Sequence, residues 1–201
     1  MQKPVNQSCL RNQDPIFQAL KDFFNTSGSV LELACGTAQH AVYLAQRLPQ
    51  LTWQPSDLLR TIEGANQWIT ESKLDNLKPA IELDISKNNW PAEKYDYMYC
   101  ANLLHFVSDK DVGNIFKHIA LNLKSEGLFA VYGPFNQDGF TSEGNRSLNH
   151  WLLTEVDSKA GIKELKDIVN LARCHQLELI KNEKLPANNH LLVFKKLTSD
   201  L

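Results

Sequence analysis

Three acidic residues stand where an apolar, branched stretch gives way to a turn: Glu32 in "VLELACGTAQH", Asp57 in "WQPSDLL" and Asp84 in "IELDISK". Carboxylates are charge-assisted acceptors, so acids at the mouths of successive strands suit a ligand that brings a cation, a diol and an exocyclic amine. Taken singly, each has a plainer explanation as a helix cap or a solvated loop residue. Their recurrence, one per strand–helix unit, argues for a shared crevice. His105, in "CANLLHF", could take a proton from an acceptor hydroxyl or amine, or could be a helix-entry histidine bonded to backbone. Asn102, on the same stretch, could touch the ligand or the acceptor. Cys35 and His40 offer a thiol with a base, but no orienting acid stands near, and a small buried cysteine filling the loop is the better reading. His118, His150, His175 and His190 show no metal-ligand spacing, so no metal is expected.

The elements that would position these residues alternate. Asp14 and Pro15 read as a helix start, with Ile16, Phe17, Leu20 and Phe24 as its apolar stripe. "SVLELA" predicts strand one, Ala41, Leu44, Ala45 and Leu48 a helix, and "LTWQPSD" strand two. Ile62, Ala65 and Ile69 mark the next helix, followed by "KPAIELDI" as strand three and "YDYMYCANLL" as strand four. Ser108 with Asp111 resembles a capping pair before a helix buried at Val112, Ile115, Phe116, Ile119 and Leu123, and "LFAVYGPF" is strand five. A polar stretch and a helix around "SLNHWLLTEV" then form an expected substrate-side insertion, residues 136–160. A second helix, "IKELKDIVNLARCH", precedes "LELIKNEKL" and "HLLVFKK", two antiparallel strands joined by "PANN". The pattern predicts an α/β fold: one domain over residues 1–201, with a single doubly wound, mostly parallel sheet whose last strand is antiparallel and helices on both faces.

Composition excludes several classes. With 201 residues, 43% hydrophobic and 22% charged, the chain can bury a full core. A net charge of −2 without a basic block argues against nucleic acid as a bound partner. The scattered Cys9, Cys35, Cys100 and Cys174 suggest reduced thiols, and the polar start "MQKPVNQSCLRNQDP" reads as neither signal peptide nor membrane span, so a soluble cytoplasmic protein is expected. Nothing in the sequence fixes an oligomeric state.

A pyrophosphate would be repelled by Glu32, and the turn lacks G-x-G-x-x-G spacing, with Gly36 its one glycine. S-adenosylmethionine fits better, because it brings an ammonium, a sulfonium, a ribose diol and the adenine amine. Glu32 would serve the methionine end, directly or through water, Asp57 would accept from both ribose hydroxyls, and Asp84 from the adenine amine, with Ile85 flanking the ring. Ala34, Gly36, Leu58 and Asn102 complete the expected cofactor shell.

The order of "VLELACGTAQH", "WQPSD", "LDI" and "YDYMYCANLLHF" resembles the class I methyltransferases. More closely, "RNQDPI", "ACGTAQHA", "LTWQPSD", "YGPF" and "LPANN" resemble the methyltransferase-like 26 family, from about Arg11 to Lys195. The resemblance implies seven strands in the order 3-2-1-4-5-7-6, with strand seven antiparallel, and an N-terminal lid, residues 1–13, in which Arg11 and Asn12 fold over the cofactor. Ala34 and Ala38 depart from it, standing where that class carries glycines, and their methyl groups fit if the backbone avoids positive φ. Asn102 lacks the following "PPY" of amino-group methylases acting on adenine or glutamine. Tyr132, Phe135, Asn188 and Asn189 converge at the same sheet end and predict a small-molecule acceptor, methylated by in-line transfer with His105 as candidate base. Trp90 and Trp151 read as packing residues. The alternatives are a cofactor-binding or interaction protein of this fold without turnover and, more weakly, an NAD-linked oxidoreductase.

Overall fold

Side chains alternate across a strand, and here the alternation sorts the core into two layers on either side of one sheet. On β1 (Gly28–Leu33), Val30 joins the layer that contains Ile16, Leu20, Leu44 and Ala65, whereas Leu31 and Leu33 join Ile115, Phe116, Ile119 and Ile168. β4 (Tyr95–Ala101) does the same, sending Tyr97 and Tyr99 to the first layer and Met98 and Cys100 to the second. Helices α1 (Gln7–Leu20), α2 (Gln39–Arg47) and α3 (Leu59–Ser72) therefore cover one face, and α4 (Asp109–Asn122) and α6 (Leu165–Cys174) the other. The structure, a computed structural model, describes residues 3–87 and 90–198. Among them no helix is long and apolar enough to cross a membrane.

The remaining strands are β2 (Leu51–Asp57), β3 (Ile81–Glu82), β5 (Leu123–Asn136), β6 (Lys163–Glu164), β7 (Leu177–Leu185) and β8 (Asn189–Lys196), ordered β3-β2-β1-β4-β5-β8-β7. β1 to β5 pair in parallel, and β8 runs antiparallel between β5 and β7. With the two-residue β6 set aside on the end of β5, this is the predicted order and the predicted antiparallel last strand. The sheet winds outward from β1 in one direction and from β4 in the other. Open α/β sheets take ligands at such a switch point, beyond the carboxyl ends of the strands.

Three boundaries differ from expectation. α1 begins at Gln7, capped by Asn6, whose side chain accepts from the Ser8 amide at 2.8 Å, and Pro15 sits inside the helix. Contacts from Asn6 and Asn12 to α2 hold the turns ahead of the proline, which costs α1 one internal hydrogen bond. β3 pairs over two residues only, because Pro79 has no N–H to offer the ladder; its carbonyl is taken by the Gln54 side chain at 2.8 Å. Leu123, expected on α4, opens β5.

Candidate active site

Residues 34 to 38 carry β1 into α2, and Ala34, Gly36 and Ala38 all lie in the left-handed region, with φ of 52°, 58° and 61°. The two alanines do not avoid positive φ, as their methyl groups would prefer; an L-residue there costs roughly 1–2 kcal/mol. Tertiary bonds hold the loop in place. The Gly36 amide donates to Asp57 Oδ2 at 2.7 Å, and the Cys35 amide to the Ser56 carbonyl at 3.0 Å. Asp57 Oδ1 accepts from the Leu58 amide at 2.7 Å, so one carboxylate ties the loop to the head of α3. Asp57 is the last residue of β2 and 9% exposed. A Cβ placed on Gly36 would meet nothing within 4 Å, so bare backbone faces open space between these elements.

Glu32 lies beneath this loop, 2% exposed, and accepts from Trp53 Nε1 at 2.6 Å. Burial pushes its carboxyl up to about 8, against the Trp53 bond and with help from the charge of Asp57. Tyr99 faces Glu32 in the β1–β4 register, and its buried hydroxyl has no partner among the described residues; nor has Gln39 Nε2. The N-terminal segment closes over these groups. The Asn6 amide donates to Gln39 Oε1 at 2.6 Å, Cys9 bonds Thr37, and Asn12 Oδ1 bonds His40 Nε2 at 2.7 Å. Upstream, the Pro4 carbonyl accepts from Trp68 Nε1 at 2.6 Å and Lys3 pairs with Glu71, so the segment runs across α2 and α3.

Beside this loop, toward β5 and the β7–β8 turn, opens a cavity of about 600 Å³ lined by Arg11, Asn12, Asn102, His105, Tyr132, Asn188 and Asn189. It also takes Gly144, Asn145 and Leu148 from α5 (Glu143–Trp151). His105 sits on a one-turn 3₁₀ helix, Leu104–Phe106, and is 5% exposed. Its carbonyl accepts from the Gly161 amide, and its ring packs against that of Phe106 with centroids 4.6 Å apart. Burial, reinforced by Lys163, pushes the ring down to about 4, so it is neutral at pH 7. Asn102 has a φ of 53° and donates its amide to the Tyr132 carbonyl at 2.8 Å, which fixes the strand-end loop against β5.

Residues 3–196 match the model of a family described as "Protein of unknown function (DUF938)". The chain belongs to that family. Its fold is shared with an O-methyltransferase family protein from Burkholderia thailandensis at 18% identity and a TM-score of 0.83, over 96% of this chain and 58% of that one. Human N-acetylserotonin methyltransferase, solved with S-adenosylmethionine, matches at 15% identity and 0.81, over 96% and 53%. An O-methyltransferase family 2 protein from Planctomyces limnophilus, solved with apigenin, matches at 12% and 0.76, over 92% and 62%. This DUF938 chain thus spans between half and two thirds of the length of these structures, and at such identities the likeness is one of fold.

One expected placement changes. Phe135 does not line the cavity: it lies three residues from Tyr132 on a strand, points to the opposite face, and packs in the second core layer against His190. Asp84 follows β3, where one carboxylate oxygen accepts from the Ser86 amide at 3.0 Å and hydroxyl at 2.7 Å and the other pairs with Lys87 at 3.1 Å. The Ser86 hydroxyl holds its carboxyl below the usual range. Ile85 is half-buried beside it, packed on the second core layer. His40 is committed to Asn12, and Cys35 is buried with its thiol pushed well up, so no thiol–base pair forms. Sequence reasoning missed Tyr99, Gln39, Trp53 and Asn145. Of these, only Tyr99 had a signal, its matching place on the neighbouring strand.

Proposed function

We propose that this chain is an S-adenosylmethionine-dependent methyltransferase acting on a small-molecule acceptor. The observation that carries the reading is the open backbone at Gly36, set between the buried carboxylates of Glu32 and Asp57 at a topological switch point. The unpartnered Tyr99 hydroxyl and Gln39 amide suit a polar ligand end, since buried polar groups otherwise find partners. When bound, S-adenosylmethionine supplies an electrophilic methyl group on a sulfonium. Glu32, with Tyr99 and Gln39, serves the methionine end in this reading, and Asp57 holds the ribose diol. Leu58 and Ile85 flank the adenine, and Asp84 accepts from its amine. Solved relatives of fold that carry the cofactor, such as the N-acetylserotonin enzyme, support the assignment.

His105 is the acceptor-side base. A neutral imidazole can accept an acceptor hydroxyl proton, and its burial beside Lys163 favours passing that proton on to solvent. Four free cysteines suit a reducing, cytoplasmic setting. Thermal shift with S-adenosylhomocysteine and with NAD tests the cofactor: the first raises the melting temperature and the second does not. No stabilisation by S-adenosylhomocysteine overturns the reading. Methyl release over a panel of hydroxylated small molecules then separates turnover from binding alone. His105→Gln lowers kcat by roughly 10²–10⁴-fold while S-adenosylhomocysteine affinity holds; an unchanged kcat removes His105 from the chemistry.

A further inference from the structure

The acceptor cavity has an unbalanced charge. Arg11 is the one permanently charged side chain in its lining, and no carboxylate joins it. The guanidinium makes a single hydrogen bond, to Ser8 Oγ at 3.0 Å, so its remaining N–H groups are free among the described residues. Tyr132, 2% exposed, lines the cavity beside Asn12, whose Oδ1 is taken by His40. The head of α5 meets the same space at Gly144 and Asn145, with the Asn145 amide capped by Ser142 Oγ at 3.0 Å. His105, buried in the lining, supplies the acceptor on the other side.

Resting on the methyltransferase reading, we propose that the acceptor is a small hydroxy acid: its carboxylate is held by the Arg11 guanidinium and the Tyr132 hydroxyl, and its free hydroxyl faces His105. A planar carboxylate matches the guanidinium fork, which a point charge does not. A cavity of about 600 Å³ has room for an acid of one ring or a short chain. The amides of Asn188 and Asn189 are tethered to Ser142 and Pro186, which leaves their side-chain oxygens as neutral acceptors that do not offset the positive rim.

The test is calorimetric titration of the protein saturated with S-adenosylhomocysteine, using 2-, 3- and 4-hydroxybenzoate, the three matching hydroxybenzamides and phenyl phosphate. At least one hydroxybenzoate binds ten-fold or more tighter than its amide. Arg11→Gln abolishes that preference, and Arg11→Lys keeps part of it. Circular dichroism verifies that both variants fold, and S-adenosylhomocysteine is kept saturating in every titration. Equal affinity for acid and amide, a preference that survives Arg11→Gln, or no binding by any hydroxybenzoate overturns the proposal. Tighter binding of phenyl phosphate than of every benzoate replaces the carboxylate with a phosphate and overturns the hydroxy acid. Failure of the wild-type protein to bind S-adenosylhomocysteine instead removes the reading beneath it.

Discussion

Asp57 accepts from two backbone amides that belong to different elements, Gly36 in the β1–α2 loop and Leu58 at the head of α3. In the proposed complex its outer lone pairs also take both ribose hydroxyls. Hydrogen bonds to a charged group contribute about 1.5–3 kcal/mol, so Asp57→Ala lowers S-adenosylhomocysteine affinity roughly ten- to a hundred-fold. It also leaves the loop untied, and a modest fall in melting temperature accompanies the loss. Asp57→Asn lies close to Ala, because its NH₂ group must face one of the two amide donors. Calorimetry on the three proteins, with circular dichroism to verify folding, measures this; full affinity in folded Asp57→Ala removes the ribose role. That an acid stands at this strand end was legible in the sequence. Its clamp on Gly36 was not, because strand pairing alone brings together residues 21 apart in the chain. Phe135 shows the reverse error, where convergence at a sheet end was read without the two-residue period that turns it inward.

At the scale of elements, the β1–α2 turn stores strain in two alanines. Ala34 is half-buried, so Ala34→Gly relieves its left-handed backbone without opening the core. Set against the entropy a glycine adds to the unfolded chain, the net gain is about 0.5–1 kcal/mol in urea unfolding. Ala38 has the same φ but is fully buried in the first core layer, so Ala38→Gly loses packing and gains less than Ala34→Gly. Destabilisation by Ala34→Gly would refute the left-handed geometry there. Periodicity made the strands and most helices readable, since apolar residues recur at the spacing each element needs. It failed where a tertiary contact overrides a local signal. Pro15 reads as a helix start, yet α1 begins at Gln7 because Asn6 and Asn12 anchor its first turns to α2. β3 shrinks to a pair of residues because Pro79 interrupts a stretch whose side chains otherwise alternate well.

The buried site groups shape the stability of the whole molecule against pH. Glu32 is pushed up from an ordinary 4.5 to about 8, so between those values the folded chain holds a proton that the unfolded chain has lost. Its contribution to stability is full below about pH 4.5 and is lost as pH rises through 8. His40 and His105 are pushed down from 6.5 to about 4, so their contribution is full above 6.5 and lost as pH falls toward 4. Between pH 4.5 and 6.5 the buried histidines outweigh the one glutamate; from 6.5 to 8 the glutamate sets the slope. Stability therefore peaks near pH 6.5; it falls on the alkaline side with a slope of about one proton, or roughly 1.4 kcal/mol per pH unit, and on the acid side as well, where burial also pushes His118 and His190 down. Glu32→Gln keeps a carbonyl to accept from Trp53 and should flatten the alkaline limb while leaving the acid limb in place. Binding of S-adenosylhomocysteine should do the same for the wild type, because an ammonium beside Glu32 lowers its pKa. The same event releases close to one proton at pH 7, measurable by calorimetry in buffers of different ionisation enthalpy. Urea unfolding from pH 4 to 9 decides the point: an alkaline limb as steep in Glu32→Gln as in wild type would mean that another group causes it, and binding without proton release would place the ammonium away from Glu32.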